Sequence, residues 1–173
     1  MVLGHTAAMP RPQPIPPGPG QESVWDYPRP PRLERTARTI ELWLGGEKIA
    51  ETTGACRVLE TSHPPTYYLP REAFLPGVLT PAPGGSICEW KGEASYWTLS
   101  AGGKVAGGAG WSYERPTPAF APIAGYVAVY AGRMDECRVG GVRVTPQPGG
   151  FYGGWITPDV VGPFKGEPGS WGW

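Results

Sequence analysis

The sequence SICEWKGEASYW, residues 86–97, places a thiol, a lysine, two carboxylates and three large aromatic rings within twelve residues. If this stretch is one extended strand, its side chains alternate between the two faces of a sheet. Cys88 and Lys91 then point to opposite faces unless Gly92 introduces a bulge or a close approach. The stretch therefore predicts a central strand that carries ligand-binding side chains.

Short alternating apolar patterns flank this stretch on both sides, and glycine pairs separate several of them. Residues 40–44 alternate, and the Gly45-Gly46 pair after them predicts a two-residue hairpin turn. Residues 76–85, rich in proline and glycine, are expected to form a long irregular connection. The other expected strands lie at residues 48–51, 55–60, 94–100, 104–110, 126–131, 137–139 and 142–144. Together these patterns predict an all-β domain, either a folded antiparallel sheet or a small barrel.

The 173 residues, 40% of them hydrophobic, are enough to bury the core of one domain. The 27 glycines and 23 prolines favour turns and loops over long helices. We expect a proline-rich, partly disordered arm over residues 1–37, the all-β domain over residues 38–145, and an aromatic tail over residues 146–173.

Both terminal segments contain aromatic residues that need a surface to cover them. Trp25 and Tyr27 of the arm are expected to dock on the body or on a second subunit. The tail is expected to lie over the body or over a partner in the same way. A homodimer formed through the terminal arms is therefore one expectation.

Several function classes are disfavoured by composition. Fifteen basic and fifteen acidic residues cancel without forming blocks, which argues against binding to nucleic acid or to an anionic membrane. Because no apolar run approaches the length of a membrane span, we expect a soluble, cytoplasmic protein. Three widely spaced cysteines cannot pair completely within one chain, so free thiols are expected. With no Cys-x-x-Cys pair and only two histidines, the sequence predicts neither a metal site nor a cofactor.

Lys91 and Cys88 are the candidates for chemistry within residues 86–97. An ammonium group near aromatic rings binds a carboxylate or a phosphate well. The alternative role for Lys91 is a solvent-facing salt bridge to Glu89 or Glu93. The same cation would stabilise a thiolate at Cys88, and the alternative there is a buried structural cysteine.

A second candidate group precedes the central stretch. Glu60, Ser62 and His63 place a carboxylate, a hydroxyl and an imidazole within four residues, which suits general acid and base catalysis if they converge on a pocket. In the alternative, Glu60 accepts hydrogen bonds from the loop backbone and His63 faces water. Four aromatic residues are expected in the core or in a pocket wall, where their polar tips would orient a ligand: Tyr67, Tyr68, Trp111 and Tyr113.

A family resemblance rests on several motifs that occur in order. They are Glu60, Tyr67-Tyr68-Leu69-Pro70, Cys88-Glu89-Trp90-Lys91-Gly92, Ala94-Ser95-Tyr96-Trp97, Gly110-Trp111-Ser112-Tyr113 and Ile123-Ala124-Gly125-Tyr126-Val127-Ala128-Val129-Tyr130. With them, residues 38–145 resemble the bacterial family catalogued as domain of unknown function 427. The resemblance implies a compact, tent-like all-β fold shared with some zinc-binding β domains, and it brings the catalogue label of nucleotidyltransferase-like. The Cys-x-x-Cys pairs of those zinc domains are absent here, so no metal is carried over.

Three functions are open from the sequence. The first is a β domain that binds a small, possibly anionic molecule in a pocket lined by Glu60, Tyr67, Tyr68, Cys88, Lys91, Trp111 and Tyr113. The second is an enzyme acting on a small anionic or nucleotide-like substrate, with Lys91 supplying charge and Glu60 or His63 transferring protons. The third is an assembly role in which the arms dock on a twin subunit.

Overall fold

A computed structural model describes residues 11–173; residues 1–10, which belong to the expected arm, lie outside the described range. The strands are β1 (Glu22–Ser23), β2 (Arg32–Arg35), β3 (Ile40–Leu44), β4 (Glu47–Thr52), β5 (Cys56–Leu59), β6 (Thr66–Tyr68), β7 (Leu79–Cys88), β8 (Gly92–Ala101), β9 (Lys104–Ser112), β10 (Val127–Val129), β11 (Glu136–Val139), β12 (Val142–Arg143), β13 (Thr145–Pro146), β14 (Trp155–Ile156) and β15 (Val160–Val161). Short 3-10 helices lie at Val24–Asp26, Arg71–Ala73, Pro118–Ile123 and Ala131–Arg133. Within residues 11–173, no helix is long and apolar enough to span a membrane.

Two antiparallel sheets meet edge to edge and form one surface of seven strands. One sheet has the order β2-β5-β6, and the other has the order β10-β9-β8-β7. Leu69, just after β6, joins them, because it exchanges two backbone hydrogen bonds of 2.9 and 2.8 Å with Val127 of β10. The surface therefore runs continuously from β2 to β7.

A further antiparallel sheet, with the order β12-β11-β3-β4, covers one face of this surface. Alternation in β3 directs Ile40, Leu42 and Leu44 into the main apolar core between the two layers. The β3–β4 turn contacts the β8–β9 turn closely: a Cβ on Gly45 would lie 2.0 Å from the carbonyl oxygen of Ala101. Glycine is required there both for its positive φ and for this backbone approach.

The opposite face of the seven-stranded surface carries a second apolar cluster. Its buried members are Cys56, Val58, Tyr68, Ala94, Trp111, Tyr113, Phe120, Ile123 and Ala128. We call this the cleft face, because the covering sheet does not reach it and segments of the tail lie across part of it. Successive residues of one strand thus divide between the main core and the cleft face.

The central stretch differs from its prediction. Residues 86–97 are a hairpin and not one strand: β7 ends at Cys88, β8 begins at Gly92, and Cys88 pairs with Gly92. A φ of +104° at Gly92 supports the turn.

The prediction of an irregular connection over residues 76–85 is wrong from Leu79 onward, because strand β7 begins at that residue. β7 accommodates its prolines because it is an edge strand, where a residue without an N–H can face away from the neighbouring strand.

The terminal segments pack on the same chain. β2 pairs with β5, and β1 pairs in parallel with β15, so residues 22–35 are part of the body although they precede the expected boundary at residue 38. Trp25 and Tyr27 are buried with Leu59 in a third cluster. Within the tail, Trp155 is buried.

The tail covers the body incompletely. Phe151 and Trp171 remain 76% and 75% exposed, against the expectation that the tail hides its aromatic rings. The fold class is confirmed as all-β, and among the described residues the sheets fold over one another without closing into a barrel.

Candidate functional site

A cleft of about 770 Å³ opens on the cleft face. Its walls come from the β7–β8 hairpin, from β6, β9 and the loop after β5, and from the tail. The lining residues are Arg29, Glu60, His63, Thr66, Tyr68, Ser86, Ile87, Cys88, Glu89, Trp90, Lys91, Ala94, Tyr96, Trp111, Tyr113, Tyr130, Gln147, Phe151, Tyr152, Gly153, Lys165 and Trp173.

Most residues proposed from sequence border this one cleft. They are Glu60, His63, Tyr68, Cys88, Lys91, Trp111 and Tyr113. Tyr67 does not, because it neighbours Tyr68 in β6 and its side chain points to the opposite face. Its ring stacks on Trp155 with centroids 5.2 Å apart and borders a separate polar cleft with Glu22 and Arg57. Tyr67 is therefore excluded from the site.

The hairpin turn brings Cys88 and Lys91 to the same cleft, which alternation along a single strand would have prevented. A neighbouring loop fixes the turn: the Thr117 hydroxyl donates to the carbonyl of Trp90 at 2.6 Å, and the Thr117 N–H donates to the carbonyl of Lys91 at 3.2 Å. A Cβ on Gly92 would lie 3.3 Å from the Arg115 carbonyl, so glycine lets the loop pack closely. The turn is held by these backbone contacts.

Lys91 is the unusual side chain of the site. Only 9% of it is exposed, and its ammonium nitrogen lies 5.8 Å from the centre of the Tyr113 ring and 5.7 Å from that of Phe120. No carboxylate in the described chain forms a salt bridge with it; the alternative pairing with Glu89 or Glu93 is not made. Cation–π contacts offset only part of the desolvation of a buried charge. The ammonium is thus available to an anion entering the cleft.

Aromatic rings form the apolar wall beside Lys91. The Trp111 indole N–H donates to the Tyr68 hydroxyl at 3.3 Å, and the Trp111 ring lies 4.7 Å from that of Tyr130. Burial raises the pKa of Tyr68 and of Tyr113, with the Cys88 thiol adding to the rise at Tyr113. The phenols therefore stay neutral, and the wall presents flat faces with hydroxyl tips.

His63 is held from behind by the tail. Its Nδ1 lies 3.0 Å from the amide nitrogen of Gln147, and its ring meets that of Tyr152 edge to face at 5.0 Å. Burial, followed by the positive charges of Arg29, Lys165 and Lys91, lowers the pKa of His63 to about 4. His63 is therefore a neutral imidazole at physiological pH.

The Glu60 carboxylate lies on the side of Nε2, the other nitrogen of the His63 ring. The carboxylate is 3.4 Å from the guanidinium of Arg29 and 3.8 Å from His63 Nε2. The first distance is an ion pair, and the second is longer than a hydrogen bond. Ser62, the hydroxyl between them in sequence, is fully buried at a φ of +72°, its Oγ has no hydrogen-bond partner among the described residues, and it does not border the cleft.

Lys165 is a second buried lysine on the cleft, and its donors are occupied. Its ammonium donates to the carbonyls of Ser170, Trp171 and Trp173 at 2.8, 2.8 and 3.2 Å. Burial, followed by the charge of Arg29, lowers its pKa. This lysine fixes the end of the tail, including Trp173, against the cleft.

Sequence reasoning missed the cleft residues that come from the terminal segments. The segments that supply Arg29, Gln147, Tyr152, Lys165 and Trp173 have the composition of an arm and a tail. The density of aromatic residues after Thr145 was the available signal, since such a segment must cover something. No pattern near Gln147 in the sequence indicates its role, because its contact with His63 joins residues 84 positions apart.

Within residues 11–173, no three His, Cys, Asp or Glu side chains gather in a metal-binding arrangement.

Comparison with known proteins gives a family and no curated relative. The model of the family described as Domain of unknown function (DUF427) matches residues 32–140, which is more than half of the chain. No curated protein matches the sequence. The matched range contains the Lys91 hairpin and the aromatic wall, while the tail side of the cleft lies beyond it. On this match, the chain belongs to the family of the domain of unknown function DUF427.

Proposed function

We propose that the protein binds a small ligand that combines one anionic group with a flat apolar body. The observation that carries this proposal is the ammonium group of Lys91, which is buried at the cleft and faces two aromatic rings with no carboxylate partner in the described chain. A buried, unpaired cation is unfavourable for folding, so its presence at the cleft supports a binding role.

The charge arrangement supports a single anionic group. Three cations border the cleft in the part of the chain that the structure describes. Arg29 pairs with Glu60, and Lys165 is saturated by backbone carbonyls. Lys91 alone retains its full donor capacity, which suits a carboxylate or a phosphate monoester.

The shape of the cleft supports a flat organic body next to that anion. Its volume of about 770 Å³ falls within the usual range for small-molecule sites. Trp111 and Tyr130 are in mutual contact, and with Tyr68 they form an apolar wall for stacking. The proposal therefore combines a charge anchor with a stacking surface.

A calorimetric titration with three matched probes tests this proposal. Benzoate and phenyl phosphate carry the ring and an anion, whereas benzamide keeps the ring and lacks the charge. We expect at least one anion to bind, benzamide to bind at least about tenfold more weakly, and Lys91→Met to abolish the difference. Lys104→Met is the control, because Lys104 is exposed and pairs with Asp135. Absence of binding by both anions, or an affinity of Lys91→Met for the anion equal to that of the unmodified chain, would contradict the proposal.

The second candidate is an enzyme acting on a small anionic or nucleotide-like substrate. The Glu60 carboxylate lies 3.8 Å from Nε2 of His63, and both groups border the same cleft as Lys91. This arrangement favours the enzyme. A pKa of about 4 makes His63 a weak base at neutral pH, and the carboxylate of Glu60 is the other proton acceptor of this pair on the cleft. Loss of any detected turnover in Glu60→Gln, with binding of the anion retained, would favour catalysis over binding alone.

A cytoplasmic location and a homodimer are part of the same proposal. Free Cys56, Cys88 and Cys137 support a reducing compartment. The exposed rings of Phe151 and Trp171 are the surface through which the tails of two chains would meet. Sedimentation of the full chain and of a Phe151→Ser/Trp171→Ser variant tests this contact. A monomer mass for the unmodified chain would exclude it.

A further inference from the structure

The hydrogen bonds of the Gln147 side chain determine which nitrogen of the His63 ring carries the proton. The carbonyl oxygen of the Gln147 side chain accepts from the backbone N–H of Gly154 at 3.0 Å, which fixes the amide orientation. Its nitrogen therefore donates, and one bond goes to the Lys165 carbonyl at 2.9 Å. The remaining amide hydrogen points at His63 Nδ1, 3.0 Å away, so Nδ1 must be an acceptor.

A neutral imidazole with an unprotonated Nδ1 carries its proton on Nε2. This Nε2–H faces the cleft next to Glu60, whose carboxylate is 3.8 Å from it. Because that distance exceeds a hydrogen bond, the Nε2–H donor and the Glu60 acceptor stand side by side without satisfying each other. Arg29 holds the Glu60 carboxylate on its other side.

We propose that Nε2–H of His63 and the carboxylate of Glu60 form a donor–acceptor pair that recognises a hydroxyl group on the ligand, with Gln147 as the positioning residue. A hydroxyl is the simplest group that donates to a carboxylate and accepts from an N–H at the same time. This inference rests on the proposed function, since Lys91 supplies the anion site of the same cleft. The ligand class is thus a hydroxylated organic anion.

The protonation of His63 depends on every charged group that faces it. Arg29, Lys91 and Lys165 disfavour the imidazolium, the ring of Tyr152 lies edge to face against it, and Glu60 is the acidic neighbour on the cleft side. The balance keeps the ring neutral, so the Nε2–H donor is retained between pH 5.5 and pH 8.

Nuclear magnetic resonance of the ¹⁵N-labelled His5→Gln variant tests the tautomer without any ligand. His63 is then the remaining histidine, because the chain has two. We expect a pyridine-like Nδ1 and a protonated Nε2 at pH 7. A protonated Nδ1, or an imidazolium, would overturn the inference.

The recognition itself is tested with benzoate and its 2-, 3- and 4-hydroxy derivatives. We expect one isomer to bind up to about tenfold more tightly than benzoate, the gain of one well-placed hydrogen-bonded group. His63→Gln places an amide N–H near the position of Nε2 and should keep this ratio. His63→Asn keeps an acceptor for Gln147 but does not reach the cleft, and it should reduce the ratio to about one.

The outcomes separate the two proposals. If benzoate binds through Lys91 and no isomer gains affinity, hydroxyl recognition is wrong while anion binding stands. If the gain survives in His63→Asn, a different group makes the contact and the inference is also wrong. If benzoate, its derivatives and phenyl phosphate all fail to bind, the proposed function fails, and this inference fails with it. If phenyl phosphate alone binds, the proposed function stands, and the 2-, 3- and 4-hydroxyphenyl phosphates replace the benzoates with the same expected ratios.

Discussion

Lys91 and Lys165 are both buried lysines on one cleft, but their ammonium groups have opposite surroundings. Lys165 donates to three backbone carbonyls at the end of the tail. Lys91, at the tip of the β7–β8 hairpin, faces the rings of Tyr113 and Phe120 and has no carboxylate partner in the described chain. One cation is satisfied by the tail, and the other borders the cleft without an acceptor among residues 11–173.

The difference separates a structural role from a binding role. A satisfied ammonium stabilises the segment that supplies its acceptors, whereas an unsatisfied one costs folding free energy and is useful only when a ligand arrives. Binding sites commonly carry such a cost, which the rest of the fold offsets. The four predictions below test this separation, from the largest expected effect to the smallest.

The largest effect concerns His63, whose pKa both lysines lower. In the folded chain the pKa is about 4, against 6.5 for an ordinary histidine. Because the pKa of His63 is lower in the folded chain, the unfolded state takes up the proton first as the pH falls. The contribution of neutral His63 to stability is therefore complete above pH 6.5. It is lost as the pH falls from 6.5 to 4, by about 3 kcal/mol in total. Urea unfolding at pH 7, 5.5 and 4 measures this loss.

The matched variants for this prediction are His63→Gln and His5→Gln. His63→Gln should lose less stability in acid than the unmodified chain, because no imidazole titrates at that position. His5→Gln should keep the full acid dependence. Equal acid dependence in all three chains would show that His63 is not held neutral.

The next largest effect is expected when the hydrogen bonds of the Lys165 ammonium group are removed. Lys165→Met removes the side-chain donor from three backbone carbonyls of the tail, of which that of Ser170 keeps the Trp173 N–H, and we expect a loss of about 2 kcal/mol in the free energy of unfolding. The tail should also become more accessible to protease. Unchanged stability and unchanged proteolysis would mean that the carbonyls find water instead, and the contrast between the two lysines would weaken.

A smaller effect is expected within the aromatic wall. Tyr68→Phe removes the acceptor for the buried indole N–H of Trp111, which should cost about 1 kcal/mol of stability. The flat surface of the wall is retained. Thermal unfolding measures the cost, and a cost above about 3 kcal/mol would show that the hydroxyl has a further buried partner.

The smallest expected effect on stability belongs to Lys91. Lys91→Met replaces an unpaired cation with an apolar side chain of similar length, so stability should change by less than about 1 kcal/mol and should rise if it changes. Chemical unfolding of Lys91→Met beside Lys165→Met gives the comparison directly. A large loss in Lys91→Met would assign Lys91 a structural role like that of Lys165.

Local patterns predicted the strands well where they alternate without interruption. The Gly45-Gly46 turn joins β3 to β4 as expected, and Tyr126, Ala128 and Tyr130 face the cleft side while Val127 and Val129 enter the main core. Alternation also contained the information needed to exclude Tyr67 once Tyr68 was assigned to the pocket. These features depend on neighbours in sequence, so the sequence suffices for them.

Features that depend on distant segments were beyond the sequence. The turn that unites Cys88 with Lys91 is held by Thr117, and the His63 ring is fixed by Gln147. Nothing near Lys165 indicates that its donors are saturated by residues 170–173. The distinction between the two lysines therefore became visible only when their acceptors could be identified in three dimensions.

The central claim is that Lys91 is reserved for an anionic ligand and Lys165 is not. Lysine-selective ¹³C magnetic resonance tests it directly, because the chain has only four lysines to assign. On titration with benzoate or phenyl phosphate, whichever binds more tightly, we expect the ε-methylene resonance of Lys91 to shift in proportion to occupancy while that of Lys165 stays in place. A Lys91 resonance that does not move, or a Lys165 resonance that moves equally, would contradict the account.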